Sequence, residues 1–389
     1  MNDFDVIVIG AGASGLMAAI EAGRRGRSAL VLDHNARIGE KIRVSGGGRC
    51  NVTNRETSSG HYLSQNPHFC KSALARFTPA DFLGRLAGQG IPVQERDHGQ
   101  VFCAGSARAV VDMLEREALA SGVRIRTSSP VADVRRDDAF RVRIPGETLS
   151  ASSLIVASGG LSYAQLGATD FARALAARFG IGVTDMRPGL VPLNLDSPET
   201  RVFRPLSGIS LDAVVRCGRI EFAEKVLFTH RGLSGPAILQ ASSYWKEGED
   251  LVLDVLPGVD AREILLAGRR TRRTLVAVLA DLLPRRFAEV WLADRGGSQP
   301  AASFSPGTLE RLAEGLHVWR LRPDGTEGYE KAEVTVGGID TRELSSQTME
   351  SRKIPGLYFV GECVDVTGWL GGYNLQWAWS SGWTAGRHV

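Results

Sequence analysis

Residues 5–9 (DVIVI) form a short, almost unbroken apolar run rich in β-branched side chains, the pattern of a parallel strand buried on both faces. A helical stretch through LMAAIEAGRRG ends at Gly26, and a second apolar run occupies residues 28–32. Farther on, the spacing predicts a helix over 107–121, a parallel-type strand over 123–126, alternating segments around VADVRR and FRVRI, and a strand in LIVASGG. Residues 190–256 alternate short apolar runs with turns, as a small β domain does. Residues 260–295 read as two helices broken near Pro284, LERLAEGL as another, and HVWRLRP as a strand returning to the β domain. The segment around Gly356-LYFV-Gly361-Glu362 reads as a last strand, and residues 371–376 open a helix running to Ala385.

Composition narrows the class. With 389 residues, 45 glycines and 16 prolines, the chain is a multi-unit globular protein rich in tight turns and close backbone approaches. A formal charge of +3 does not mark the whole chain as a nucleic-acid binder. The five cysteines show no CxxC pair and no metal-ligand spacing, so they are expected as reduced thiols with no metal site. Asp3 and Asp5 stand where a signal peptide needs positive charge, and no apolar run reaches membrane-spanning length, so a cytoplasmic protein with no membrane partner is expected.

The chemistry begins at the first turn. Gly10-Ala11-Gly12-Ala13-Ser14-Gly15 lies directly between the first strand and the first helix. Gly10 permits the tight turn, Gly12 lets backbone approach a pyrophosphate, Gly15 lets the helix pack close to the strand, and the helix N-terminus faces the phosphates. The second strand ends at Asp33, followed by His34, about twenty residues on, where a carboxylate accepts both hydroxyls of an adenosine ribose. This motif predicts a dinucleotide and does not separate FAD from NAD. GEKIRVSGGGRCNVTN follows, in which Ser45, Gly46, Gly47, Gly48, Arg49, Cys50 and Asn51 form a loop able to lie against a flat or phosphorylated ligand, with Lys41, Arg43 and Arg49 adding positive charge near the pyrophosphate. The strand ending in Ala157-Ser158-Gly159 extends the site at the carboxyl edge of the sheet.

The order of these segments resembles the FAD domain of glutathione-reductase-type flavoproteins. That resemblance puts the backbone of Val131 near the adenine, a ribityl hydroxyl on the acid after the last strand (Glu362), and the N-terminus of the last helix at the pyrimidine side of the isoalloxazine. Trp377, Trp379 and Trp383 on that helix read as packing residues.

SGGGRCNVTN, ASGGLSYAQLG, RPGLVPL, FTHRGLSGPAIL, AEVTVGGI and TMESRKIPGLYFVGECVDVTGWLGGYNLQWAWSSG together make the chain similar to the aminoacetone oxidase family of FAD-binding flavoproteins, which includes members similar to bile-acid enone reductases. The resemblance implies an α/β fold: a three-layer, glutathione-reductase-type FAD-binding Rossmann domain (1–189 and 334–389), an inserted β domain (190–257 and 316–333) and a helical subdomain (258–315). It adds Gly338, Gly361, Asp365, Gly372, Tyr373, Asn374 and Leu375 to the expected cofactor contacts. The sequence departs from the family at Cys103 and Ala104, where a proline-containing segment is usual, in RFGIGV, which lacks a frequent histidine, and at Asp33, where many members have glutamate.

FAD supplies hydride chemistry at N5, so the expected function is an FAD-dependent oxidoreductase that oxidises a small-molecule amine or reduces an activated C=C. A second GxGxxG is missing, so NADH or NADPH is expected to dock transiently as donor. His230, in FTHRGLSGP, is the candidate proton donor or acceptor, set against a structural role in its turn. Tyr163 and Tyr373 are further candidates. Cys363 lacks a partner cysteine for a relay. Arg269, Arg270, Arg272, Arg273, Arg285 and Arg286 concentrate charge on the expected helices of the insert. They form either a solvated face or a phosphate-binding surface for RNA, in which case a uridine C=C becomes the substrate, or the FAD a structural or redox-sensing group.

Overall fold

The computed structural model describes residues 3–389. The chain divides into two compact units, Met1–Arg187 with Val334–Val389, and Pro188–Glu333.

The first unit is organised by a seven-stranded sheet. Its parallel part runs Arg124–Arg126, Ala29–Leu32 (β2), Phe4–Ile9 (β1), Glu147–Val156 and Leu357–Phe359. The strand Glu147–Val156 serves two purposes: its first half pairs antiparallel with Phe140–Ile144, which pairs in turn with Asp133–Arg136, while its second half lies parallel to β1. Ile9 is in register with Leu32 and with Val156, and Val156 with Phe359. Gly10, Asp33, Ala157 and the Gly361 turn therefore leave the sheet along one edge, the edge where open α/β sheets bind ligands.

The helix after β1, Ala13–Arg24 (α1), packs against the final helix, Tyr373–Gly386. Small residues permit this: a β carbon on Gly382 would stand 2.3 Å from the Ser14 carbonyl oxygen, and one on Gly386 would stand 2.3 Å from that of Ala18. Trp377 and Trp379 are fully buried on the final helix, Trp379 stacked on Phe82 with centroids 4.3 Å apart, so the packing role expected of them is what they perform.

The second unit holds another seven-stranded sheet, antiparallel wherever its register is resolved, in which Ser210–Cys217 pairs with Ile220–Phe228 and with Leu251–Asp254. Residues 260–295 depart from the two-helix expectation. They form Ala261–Gly268, Leu275–Leu279 and Arg285–Trp291. The break at 269–274 follows from local capping: Thr271 Oγ1 donates back to the Gly268 carbonyl, and Thr274 Oγ1 accepts from Ala277 N–H to start the next helix. Arg269, Arg270, Arg272 and Arg273 consequently sit in a connector, and only Arg285 and Arg286 of the cluster are helical.

Candidate functional site

The turn after β1 is built as a phosphate cradle. Gly12 caps α1 with no side-chain hydrogen bond, so the first-turn N–H groups of the helix are left to a ligand. Nothing lies within 4 Å of where a β carbon on Gly12 would be, whereas one on Gly15 would stand 1.9 Å from the Gly10 carbonyl oxygen. One glycine keeps space open and the other closes the helix onto the strand. Ser14 is 6% exposed, while Ala13 is half-buried at the opening.

Asp33 fixes this turn. Its Oδ2 accepts from Ala11 N–H at 2.7 Å and its Oδ1 from Asn35 N–H at 2.8 Å, and each oxygen keeps a lone pair for a ribose hydroxyl. The loop that leads to Val131 folds back here, with Ser129 N–H on the Asp33 carbonyl, and Val131 is half-buried. The ring Nε2 of His34 is 2.8 Å from the Gly167 carbonyl oxygen, which ties the 161–170 segment to the same edge.

The SGGG segment is not a free loop. Glu40–Gly48 is helical except at Ser45, Gly46 and Gly47, where the backbone leaves the helix and Gly46 and Gly47 take φ of 56° and 66°. Gly48 is half-buried and Arg49 exposed at the end of this turn. Cys50 is buried, with φ 52°, and burial pushes its thiol up to about 12, so the side chain offers no nucleophile. Asn51 Oδ1 accepts from Gly372 N–H at 3.2 Å, and its Nδ2 donates to the Thr53 and Val101 carbonyls at 3.2 and 3.1 Å.

Glu362, after the last strand, is the hub of a cluster that sequence spacing does not reveal. Its Oε1 accepts from Ser162 Oγ at 2.6 Å and from Thr335 N–H at 3.0 Å, and its Oε2 accepts from Lys41 Nζ at 2.5 Å. Lys41 also donates to Ser162 Oγ at 2.8 Å and lies 5.5 Å from the Tyr163 ring centroid. Lys41 is thus committed to Glu362, and Oε2 retains acceptor capacity for a ligand hydroxyl. Ser162 and Thr335 are site residues that sequence reasoning missed.

Around the same edge a pocket is lined by Gly159, Asp170, Arg173, Gly338 and Cys363, among others. Cys363 is sealed, its thiol pushed up to about 12 by burial. Asp365 is 4% exposed, and its Oδ2 accepts from Gln65 N–H at 3.0 Å; burial, with the Asp340 charge adding to it, raises its pKa. At the final helix, Gly372 takes φ 99° and Asn374 Nδ2 donates to the Gly368 carbonyl at 2.8 Å, fixing the turn, with Leu375 half-buried beside it.

Two observations test the fit of a dinucleotide. The first is the open space before Gly12, and the second is the Ser158 hydroxyl, buried with no hydrogen-bond partner at the end of the strand Glu147–Val156. Both fit. Adjacent to the sheet edge, these groups would hold the pyrophosphate, Asp33 the adenosine ribose, and Glu362 with the final helix the flavin end of FAD.

The chain matches the family described as HI0933-like protein Rossmann domain over residues 4–388. It belongs to that family. It is 47% identical over 397 residues to a protein of Escherichia coli strain K12 named ribosomal RNA dihydrouridine synthase, with 100% of this chain and 98% of that one covered. It is 31% identical to the 3-dehydro-bile acid delta(4,6)-reductase of Clostridium scindens, with 98% and 97% covered. Among solved structures it is similar to a 3-ketosteroid-delta4-(5alpha)-dehydrogenase from Rhodococcus jostii RHA1, with TM-score 0.51 and 16% identity over 99% and 96% of the two chains. The fold is the α/β, glutathione-reductase-type Rossmann fold, and the protein is an FAD-dependent oxidoreductase. No helix of the described residues is long and apolar enough to cross a membrane.

His230 lies in the second unit, in the turn between Ile220–Phe228 and Gly232–Ser234. Thr229 Oγ1 accepts from the N–H groups of Arg231 and Gly232 to form this turn, and the His230 side chain is exposed.

Proposed function

We propose that this protein reduces the C5=C6 bond of a uridine in ribosomal RNA, with FAD carrying hydride and NADH or NADPH as the donor. The observation that carries the reading is the 47% identity, over the whole of both chains, to the protein named ribosomal RNA dihydrouridine synthase. The chemistry supports it, because C5=C6 of uracil is conjugated with the C4 carbonyl and takes hydride at C6 as an enone does at its β carbon. The cradle residues Gly10, Gly12, Ser158, Asp33 and Glu362 would bind the FAD, Arg43 and Arg49 would add charge near its phosphates, and His230 is a candidate proton donor.

For the RNA, the connector 269–274 supplies the cations. Arg273 is paired with Asp281, Arg285 with Glu289 at 2.9 Å, and Arg286 donates to the Ser207 carbonyl at 2.6 Å. Arg270 and Arg272 are exposed and have no ion pair among the described residues, and Arg269 is half-buried with its Nε unpartnered. These three are the residues proposed to meet RNA phosphates. Reversing Arg269, Arg270 and Arg272 to glutamate is expected to weaken RNA binding and to flatten the plot of log affinity against log salt by about 0.7–0.9 for each phosphate no longer neutralised. Unchanged affinity and slope remove these arginines from the RNA site.

The substrate class is tested by anaerobic mixing. Bleaching of the flavin by NADH or NADPH supports the reductase. Bleaching by a small amine such as aminoacetone, and not by nicotinamides, makes the protein an amine oxidase, and bleaching by neither leaves FAD as a structural or redox-sensing group.

A further inference from the structure

Gly371 and Gly372, with φ 121° and 99°, form the turn that opens the final helix at the flavin end of the site. Two adjacent glycines leave the backbone free to rotate, so other groups must fix the direction of these peptide units. Side chains from residues 51–62 do so. Asn54 is 1% exposed; its Nδ2 donates to the Gly371 carbonyl at 3.0 Å and to the His98 carbonyl at 2.9 Å, and its Oδ1 accepts from Glu56 N–H at 2.9 Å. Asn51 Oδ1 takes the N–H of Gly372, so the peptide unit between the two glycines is held at both ends. The buried Tyr62 hydroxyl donates to the Tyr373 carbonyl at 3.0 Å. Tyr62 arrives by the short antiparallel pairing of Tyr62–Leu63 with Thr367–Gly368, which also stacks His61 on the Tyr373 ring with centroids 4.7 Å apart. The turn lies directly on this segment: a β carbon on Gly372 would stand 2.4 Å from the Thr53 carbonyl oxygen. The N–H groups of Tyr373, Asn374 and Leu375, by contrast, make no hydrogen bond among the described residues and are left to a ligand.

We propose that Asn54 and Tyr62 are positioning residues for the flavin: by holding the Gly371 and Tyr373 carbonyls they keep the free N–H groups of residues 373–375 aimed at the pyrimidine end of FAD, and so raise its two-electron reduction potential. The inference rests on FAD binding at this edge and needs neither the RNA nor the nicotinamide. A peptide unit is planar, so a held carbonyl fixes the N–H on its other side. The Tyr62 bond to the Tyr373 carbonyl therefore directs the N–H of Asn374, and the Asn54 bond sets the glycine peptide from which the helix starts. Reduction gathers negative charge on the pyrimidine ring, and the positive end of a helix stabilises that charge more than it stabilises the neutral ring. The gain falls off when the N–H groups turn aside. Neither side chain changes its role near neutral pH: an amide does not titrate there, and burial pushes the Tyr62 phenol well above its ordinary value, so it stays a donor.

The test is the potential of the bound FAD, measured by anaerobic reduction of the FAD-loaded protein in equilibrium with reference dyes. Asn54→Ala and Tyr62→Phe are each expected to lower it by about 30 mV or more, which is a tenfold loss of preference for reduced over oxidised FAD. Phe82→Leu is the control. It loosens the same helix farther along, where Phe82 stacks on Trp379, and is expected to lower the melting temperature while leaving the potential at the wild-type value. A wild-type potential in either positioning variant with FAD bound overturns the inference. So does an equal fall in Phe82→Leu, because general loosening of the helix would then explain the effect. Should Asn54→Ala fail to hold FAD, Tyr62→Phe, which removes one oxygen and keeps the ring, decides alone. No arm uses RNA or a nicotinamide, so failure of the uridine reading leaves the result standing, whereas a wild type that binds no FAD overturns this inference with the cofactor assignment.

Discussion

Ser14 and Gly361, at opposite ends of the chain, touch: a β carbon on Gly361 would stand 2.4 Å from the Ser14 hydroxyl oxygen. The N-terminal phosphate turn and the turn after the last strand are thus one surface. Trp377 Nε1 donates to the Gly361 carbonyl at 3.0 Å, and Ser381 Oγ accepts from Gly361 N–H at 3.0 Å, so the final helix holds the two turns together.

Gly12→Glu separates folding from cofactor binding. Gly12 has φ −84° and open space where a side chain would go, so the variant without cofactor is expected to keep its stability within about 0.5 kcal/mol. It is expected to purify colourless, because the new carboxylate occupies the phosphate position. A variant with full flavin absorbance contradicts the placement of the pyrophosphate.

Lys41 and Glu362 are 36% and 19% exposed, a partly screened pair. Lys41→Met leaves Glu362 its bonds from Ser162 and Thr335, so the fold is expected to persist. A double-mutant cycle with Glu362→Gln is expected to give a coupling of about 1 kcal/mol in thermal stability, below that of a sealed pair. FAD affinity, read by fluorescence titration, is expected to fall about tenfold or more in either single variant, since the carboxylate loses its orientation or its charge. Zero coupling with unchanged affinity refutes the hub.

Asp365 sets a pH dependence. Its folded pKa is raised above the ordinary 3.8, so its contribution to stability is fully present below 3.8 and is lost as pH rises through the folded value. Asp365→Asn keeps an acceptor for Gln65 N–H and removes the buried charge. The apo variant is expected to melt higher than wild type near neutral pH, with the difference vanishing as pH falls toward 3.8. A gap that is constant with pH contradicts an ionised, buried Asp365.

What the sequence made legible was local. Gly10, Gly12, Gly15 and Asp33 act through one strand-turn-helix-strand unit whose spacing is visible in a short window, and the final strand and helix are marked by the glycines Gly356, Gly361, Gly371 and Gly372 that flank them. The Glu362 hub was not legible, because Lys41 and Ser162 lie 321 and 200 residues from it and only the folded sheet edge unites them. The same holds for Tyr373, whose stacking partner His61 arrives by a two-residue strand pairing that leaves no periodic signal. The arginine run misleads for a different reason. Arginine is a good helix former, so GRRTRRT reads as helix, but Thr271 and Thr274 turn their hydroxyls to nearby backbone and divide it.

The central claim is FAD-dependent reduction of an RNA uridine, and its most direct measurement is mass spectrometry of ribosomal RNA lacking dihydrouridine after incubation with FAD-loaded protein and NADH or NADPH. One uridine is expected to gain the mass of two hydrogens, and none with Gly12→Glu. RNA unchanged in mass while the nicotinamide bleaches the flavin contradicts the claim.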